Sequence, residues 1–312
     1  MYFGSVRFFK NLIFLAVCIL ILIPTLLAVK YYRLSQNAPA GVDPPTHEST
    51  ISSASPDAVF EPDDSPTTNT SASGASLHVS ADPPEYQKLY PDFYAPQPYN
   101  ATERAENTIY LTFDDGPSER TDEILKVLAE KKVKATFFVI GQSKEENLAR
   151  MRAIVEAGHT IGMHSYSHDY ATVYASVESF LDEFYKNFLQ IREATGVTPT
   201  VFRFPGGSIN GYDGGFYQEI ISEMIRRGFI PFDWNVSSED AVGAKESVDG
   251  IVNHVVSGAG GKVRGFVLFH DSAAKTTTAQ AIGPVIDQLR AMGFSFAEIT
   301  PSTLPVLYSY PY

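Results

Sequence analysis

Apolar and polar positions follow three different patterns along the chain. The first is an unbroken apolar run, Asn11 to Val29 (NLIFLAVCILILIPTLLAV), with Arg7 and Lys10 before it and Lys30 and Arg33 after it. A helix of that length matches a hydrocarbon core of about 30 Å. It is apolar on every face, so it reads as a membrane span rather than one side of a core helix. A cleavable signal would need a shorter apolar region and a small-x-small exit. The exit here, Leu27-Ala28-Val29-Lys30-Tyr31-Tyr32, is bulky, so an uncleaved signal anchor over residues 11–29 is expected, behind a short tail, residues 1–10.

The second pattern, residues 30–105, is almost without apolar periodicity. From Thr46 to Ser80, 14 of 35 residues are Ser or Thr, and 11 of the chain's 20 prolines lie between Pro39 and Pro98. Such a segment cannot bury enough surface to offset its ordering entropy. An extended linker is expected, with the aromatic stretch Tyr86–Tyr99 packing back on the domain C-terminal to it.

The third pattern, residues 106–312, alternates strand-like and helix-like runs. Strands are predicted at Thr108–Phe113, Ala135–Ile140, Thr160–His164, Val201–Phe204, Ile230–Trp234, Gly265–His270 and Phe294–Ile299. Helices are predicted between them at Thr121–Glu130, Asn147–Ala157, Val177–Ala194, Phe216–Arg227, Val248–Val256 and Thr278–Met292. That alternation predicts an α/β fold with a parallel sheet, a distorted (β/α)7 TIM-like barrel. Chemistry in such barrels sits at the C-terminal ends of the strands.

Composition narrows the function. The net charge of −12 argues against nucleic acid as a partner, because phosphate binding needs clustered basic charge. The single cysteine, Cys18, lies inside the apolar run, so neither an intrachain disulfide nor a thiolate zinc cluster can form. An exported part without thiols suits an oxidising compartment.

The predicted strand ends carry residues able to do chemistry. Asp114-Asp115 ends the first strand, and adjacent strand residues point to opposite sides, so the two carboxylates can take different roles. His164-x-x-x-His168 follows the third; in a helical turn both imidazoles would face one ion, and two His with a carboxylate are a common catalytic zinc set. Arg203 precedes Pro205-Gly206-Gly207, where a glycine backbone can approach a substrate and offer N–H groups. Asp233 adjoins Trp234, the only tryptophan, and Leu268 lies two residues before His270-Asp271, giving an apolar pocket with an acid at its edge. His159 is expected to pack at a helix–strand turn, and His254 needs no function.

In order, Thr112-Phe-Asp-Asp-Gly-Pro117, His164-x-x-x-His168, Arg203-x-Pro205, Asp233-Trp234 and Leu268-x-His270 resemble the five motifs of the polysaccharide deacetylase family, the NodB-homology domain of carbohydrate esterase family four. The resemblance covers about residues 106–300 and includes Ala135-Thr-Phe-Phe138. It implies a distorted (β/α) barrel and a metal-dependent hydrolase that removes acetyl groups from sugars. By matching position, Asp115, His164 and His168 would bind a divalent metal, zinc first, with cobalt, manganese or nickel as alternatives. Asp114 would be the general base, paired with Arg203. The backbone N–H of Gly206 would assist the oxyanion. His270 would protonate the leaving amine, tuned by Asp233, and Trp234 and Leu268 would wall the acetyl pocket.

Three positions depart from the family pattern. Gly206 stands where an aromatic residue is usual, Asp169 replaces a proline after the second histidine, and the stretch Asn235–Asp240 is placed to line the groove. With the anchor and linker, the resemblance implies a single-pass membrane enzyme, N-terminus cytoplasmic and catalytic domain outside; the sequence does not give the oligomeric state, and a monomer is the favoured expectation. The expected substrate is an N-acetylated glycan, first peptidoglycan N-acetylglucosamine. Chitin-type oligomers, N-acetylmuramic residues and acetyl xylan are alternatives. A glycan-binding wall protein that has lost catalysis is the reading from another class, and it requires a broken catalytic position.

Overall fold

Nine residues, Thr108–Gly116, form the central strand, β1. Its period of two divides the protein's apolar interior. Ile109, Leu111 and Phe113 join the cluster beneath the helices, whereas Tyr110 packs in a second cluster with Phe138, Val201, Ile230, Phe232 and Phe266. Thr112 and Asp114 share the parity of Tyr110 and are buried as well. The same alternation that builds the core therefore carries a carboxylate to the end of a packed strand. The structure is a computed structural model. It describes residues 82–308 apart from Tyr99, 213–214 and 242–245.

The remaining strands are β2 (Thr136–Val139), β3 (Thr160–Met163), β4 (Val201–Phe202), β5 (Ile230–Pro231), β6 (Val236–Ser237), β7 (Arg264–His270) and β8 (Ser295–Phe296). All pair in parallel in the order β5-β4-β3-β2-β1-β7-β6, with β8 pairing the start of β1. Among the described residues no pairing joins β5 to β6, so the sheet is an open, parallel half-barrel.

The helices are α1 (Glu119–Lys131), α2 (Glu145–Glu156), α3 (Tyr170–Val173), α4 (Val177–Thr195), α5 (Tyr217–Arg226), α6 (Val248–Ala259) and α7 (Thr276–Ala291). Serine side chains cap three of them: Ser118 on α1, Ser176 on α4 and Ser247 on α6. α4 buries Val177, Phe180, Leu181, Phe184, Phe188 and Ile191, the three-and-four spacing of one apolar stripe. Every predicted strand and helix has an observed counterpart. β6 and α3 are additional, and β4 and β5 shrink to two residues each.

The stretch Tyr86–Phe93 packs on the domain as the aromatics predict, which carries the folded unit upstream of residue 106. Phe93 is fully buried, and Arg227 donates to the carbonyls of Tyr86, Leu89, Tyr90 and Phe93. Among the described residues no helix is long and apolar enough to cross a membrane. The run Asn11–Val29 and the linker as far as residue 81 lie outside the described residues.

Candidate active site

The double aspartate does not sit as a regular strand would place it. Ladder register with β2 shifts between Asp114 and Gly116, and Asp115 has φ 69°. A bulge with a left-handed residue re-aims a side chain. Here it brings both carboxylates onto one pocket, with Asp114 buried and Asp115 half-exposed.

The two histidines also meet without the expected helical turn. His164 follows β3, and the loop to His168 passes through left-handed Ser165 (φ 69°) and His168 (φ 54°). The loop is fixed from inside: the His168 N–H donates to Ser165 Oγ, and the Ser167 N–H and hydroxyl both donate to the buried Glu183 carboxylate at 2.7 Å. The imidazole centroids lie 5.0 Å apart. His168 Nε2 is 3.2 Å and His164 Nε2 is 3.6 Å from Asp115 Oδ1.

These three residues fit a metal ion. One ligand atom from each lies within 4.8 Å of the others. Asp115 Oδ1 is buried with no hydrogen-bond partner, although such orphaned atoms are rare in folded proteins. His164 Nδ1 lies 2.9 Å from the Arg203 carbonyl, which only accepts, so Nδ1 carries the proton and Nε2 presents its lone pair. Burial holds the His164 imidazole neutral down to about pH 3, the form that ligates.

Arg203 fixes Asp114. The guanidinium is fully buried and donates to Asp114 Oδ1 at 2.8 Å, to Thr112 Oγ1 at 2.7 Å, and to the carbonyls of Phe232 and Asp233. Burial raises the Asp114 carboxyl above its ordinary range; Arg203 opposes that rise without cancelling it. The result is a more basic carboxylate held in one rotamer.

His270 lines the same pocket and pairs with Asp114 in the β1–β7 ladder, but its carboxylate partner is not Asp233. Its Nδ1 lies 2.7 Å from Asp240 Oδ1, and its N–H donates to Asp240 Oδ2 at 2.9 Å. Thr278 Oγ1 also donates to Asp240 Oδ2, and Lys275 Nζ to the Asp240 carbonyl. Burial alone would lower the imidazole; the Asp240 carboxylate overcomes it and raises the histidine above its ordinary value. Asp233 instead accepts from the N–H and hydroxyl of Ser208 and from the Tyr308 N–H. Sequence alone points to the stretch Asn235–Asp240 as groove lining but does not single out Asp240, because only the fold brings residue 240 against residue 270.

Asp271 does not edge the pocket. It is fully buried beneath α1, its Oδ2 accepting from Thr121 Oγ1 and its carbonyl from Ser118 Oγ, and burial pushes its carboxyl up to about 7. Trp234, Leu268 and Gly206 do line the pocket, a cavity of about 530 Å³ shared with Asp114, His164 and His270. Tyr170 joins them, edge-on to His168 with ring centroids 5.5 Å apart. Asp169 caps α3 by accepting from the Ala171 N–H and the Thr172 hydroxyl, so the departure there is structural. His159 accepts from the Ala135 N–H, as a packed turn histidine would.

Comparison with known proteins assigns this arrangement to a class. The polysaccharide deacetylase family model matches residues 101–213. A peptidoglycan-N-acetylglucosamine deacetylase of Bacillus cereus is 30% identical over 216 residues, 68% of this chain and 76% of that one. The chain belongs to the polysaccharide deacetylase family. The peptidoglycan-N-acetylglucosamine deacetylase PgdA of Listeria monocytogenes is 32% identical over 201 residues, 63% of this chain but 39% of the longer protein. Among solved structures, the catalytic domain of a peptidoglycan N-acetylglucosamine deacetylase from Eubacterium rectale superposes with a TM-score of 0.65 at 33% identity, covering 68% of this chain and 97% of that one.

Proposed function

We propose that this chain removes the acetyl group from N-acetylglucosamine in peptidoglycan, with Asp115, His164 and His168 holding a zinc ion. The observation that carries the proposal is the convergence on one pocket of a metal donor set, Asp114 and the Asp240-backed His270. Two neutral imidazoles and one carboxylate are a donor set that suits zinc. A divalent metal there supplies Lewis acidity, polarising the acetyl carbonyl and acidifying water.

The side chains divide the rest of the chemistry. Asp114 Oδ2, opposite the oxygen that Arg203 holds, takes the proton of the attacking water. The Gly206 N–H, which meets no acceptor among the described residues, is available for the developing oxyanion. His270, protonated and anchored through Nδ1, gives the Nε2 proton to the departing amine. Trp234 and Leu268 supply apolar walls for the acetyl methyl. The reading of a catalytically silent wall protein needs a broken position, and none of these residues is missing.

The substrate is proposed from the relatives, several of which are named for peptidoglycan N-acetylglucosamine. The run Asn11–Val29 and the acidic linker support a single-pass membrane anchor that holds the catalytic domain outside the cell at wall distance. Mass spectrometry of digested wall polymer treated with the enzyme tests the substrate. Glucosamine must replace N-acetylglucosamine; loss of acetyl from muramic residues or from xylan alone would overturn it. Deleting residues 39–84 tests the spacer: wall deacetylation should fall in cells while activity on soluble glycan persists.

A further inference from the structure

The Gly206 N–H belongs to a peptide whose plane is fixed from both ends of its turn. Phe204-Pro205-Gly206-Gly207 closes with the Gly207 N–H donating to the Phe204 carbonyl at 2.9 Å, and Gly206 has φ 77°. Proline at the second position and left-handed glycine at the third are the marks of a type II turn. Type I and type II turns differ chiefly by rotation of that central peptide, so one flip would turn the Gly206 N–H to the opposite side. Glycine permits both, because it takes positive and negative φ alike.

Two side chains outside the catalytic set choose between them. Tyr174, on the residue that ends α3, donates its hydroxyl to the Pro205 carbonyl at 2.8 Å, and that phenol is buried. The only cis peptide among the described residues is Gly116-Pro117, so the Pro205-Gly206 peptide is trans and its N–H points opposite its C=O. Holding the carbonyl on Tyr174 therefore aims the N–H away from Tyr174, on the pocket-lining residue Gly206.

Asp233 secures the other end. Its Oδ1 accepts from the Ser208 N–H at 2.8 Å, its Oδ2 from the Ser208 hydroxyl and from the Tyr308 N–H at 2.7 Å, and its own N–H donates to the Val306 carbonyl. The Asp233 carbonyl receives Arg203, the same guanidinium that holds Asp114. A Cβ at Gly207 would lie 3.1 Å from Trp234 and 3.2 Å from Tyr308, so the turn sits close under those two rings.

We propose that Tyr174 and Asp233 are the positioning residues of the oxyanion peptide. Tyr174 sets the direction of the Gly206 N–H, and Asp233 ties the turn to Trp234, Arg203 and the C-terminal segment around Tyr308. The inference rests on the oxyanion role proposed for Gly206, and it gives Asp233 a task other than tuning His270.

Tyr174→Phe and Asp233→Asn in the zinc-loaded full chain are the test, each with kinetics and a crystal structure. Losing one oxyanion donor outright costs on the order of 10²–10³ in kcat. Tyr174→Phe, which frees the peptide without removing it, should lower kcat about tenfold with KM and zinc content within about twofold. Asp233→Asn should do likewise with the pH–rate profile in place. The crystal structures should show the Pro205-Gly206 peptide rotated or split between two orientations. Unchanged kcat in both variants would overturn the proposal. So would a fall in kcat with the peptide unmoved, or a displaced pH profile in Asp233→Asn, which would return that residue to His270. If the wild-type chain releases no acetate, the oxyanion reading fails by itself, and the peptide's orientation in the variants still decides the positioning role.

Discussion

Asp240 grips His270 twice, its Oδ1 2.7 Å from the imidazole Nδ1 and its Oδ2 accepting the His270 backbone N–H at 2.9 Å. One carboxylate thus fixes the ring's place, its tautomer and its proton affinity. Asp240→Asn removes the charge and nearly keeps the shape. Burial, which lowers the imidazole, then prevails, so the protonated acid is lost at lower pH. The alkaline limb of the kcat profile should move down, and kcat above neutrality should fall at least about tenfold. A pH–rate profile decides it; an unmoved limb would separate Asp240 from proton delivery.

Gly206 tests another part of the pocket lining. A Cβ there would lie 2.9 Å from the Tyr170 ring, on a residue with φ 77°. Tyr170 can swing away at its tip, but the left-handed backbone costs a non-glycine residue about 1–2 kcal/mol and favours the flipped peptide. Gly206→Ala should lower kcat about tenfold or more. Adding Tyr170→Ala should not restore it, because space is not what is lacking. Steady-state kinetics on the single and double variants check this.

Arg227 carries the upstream segment. It is ion-paired at 2.6 Å with Glu223, both side chains fully buried, and it donates to four carbonyls between Tyr86 and Phe93. Arg227→Met strips the donor from the Leu89 and Phe93 carbonyls, while those of Tyr86 and Tyr90 keep the N–H groups of Leu89 and Phe93, and it leaves Glu223 held by Arg226 alone. The expected loss is about 3–5 kcal/mol in denaturant unfolding, with early proteolytic cleavage upstream of Phe93.

His159 makes folding sensitive to acid. Burial, then Lys134, lowers its pKa to about 4 in the fold, below the roughly 6.5 of an unfolded chain. The folded state therefore prefers the neutral ring. That contribution is present above about pH 6.5 and is lost as pH falls toward 4, up to about 2 kcal/mol after allowance for screening. His159→Asn keeps an acceptor for the Ala135 N–H and cannot charge. Asp271, pushed up to about 7, works in the other direction, losing stability as pH rises from about 4 to 7. The difference between wild type and His159→Asn in thermal unfolding isolates the histidine, and that difference should grow below pH 6.

The elements and the strand-end cluster were legible because periodicity and residue type are local properties. Asp114, His164, Arg203 and His270 could be named from strand ends alone. The features that were not legible depended on backbone conformation or distant contact. The bulge at Asp115 and the left-handed turns at Ser165 and His168 break the regular geometry from which spacing arguments proceed. Asp240 is drawn to His270 by a loop after β6 that the strand pattern did not include, and Asp233, beside Trp234 in the chain, turns instead toward Ser208 and Tyr308. Neighbourhood in sequence favoured the wrong carboxylate.

The most direct measurement is acetate release from N-acetylated peptidoglycan by the full chain in detergent, metal-loaded, chelated, and as Asp114→Asn. Release should fall to background on chelation, return with zinc, and drop on the order of 10³-fold or more in Asp114→Asn. Acetate released at an undiminished rate after chelation, or by Asp114→Asn, would contradict the proposed function.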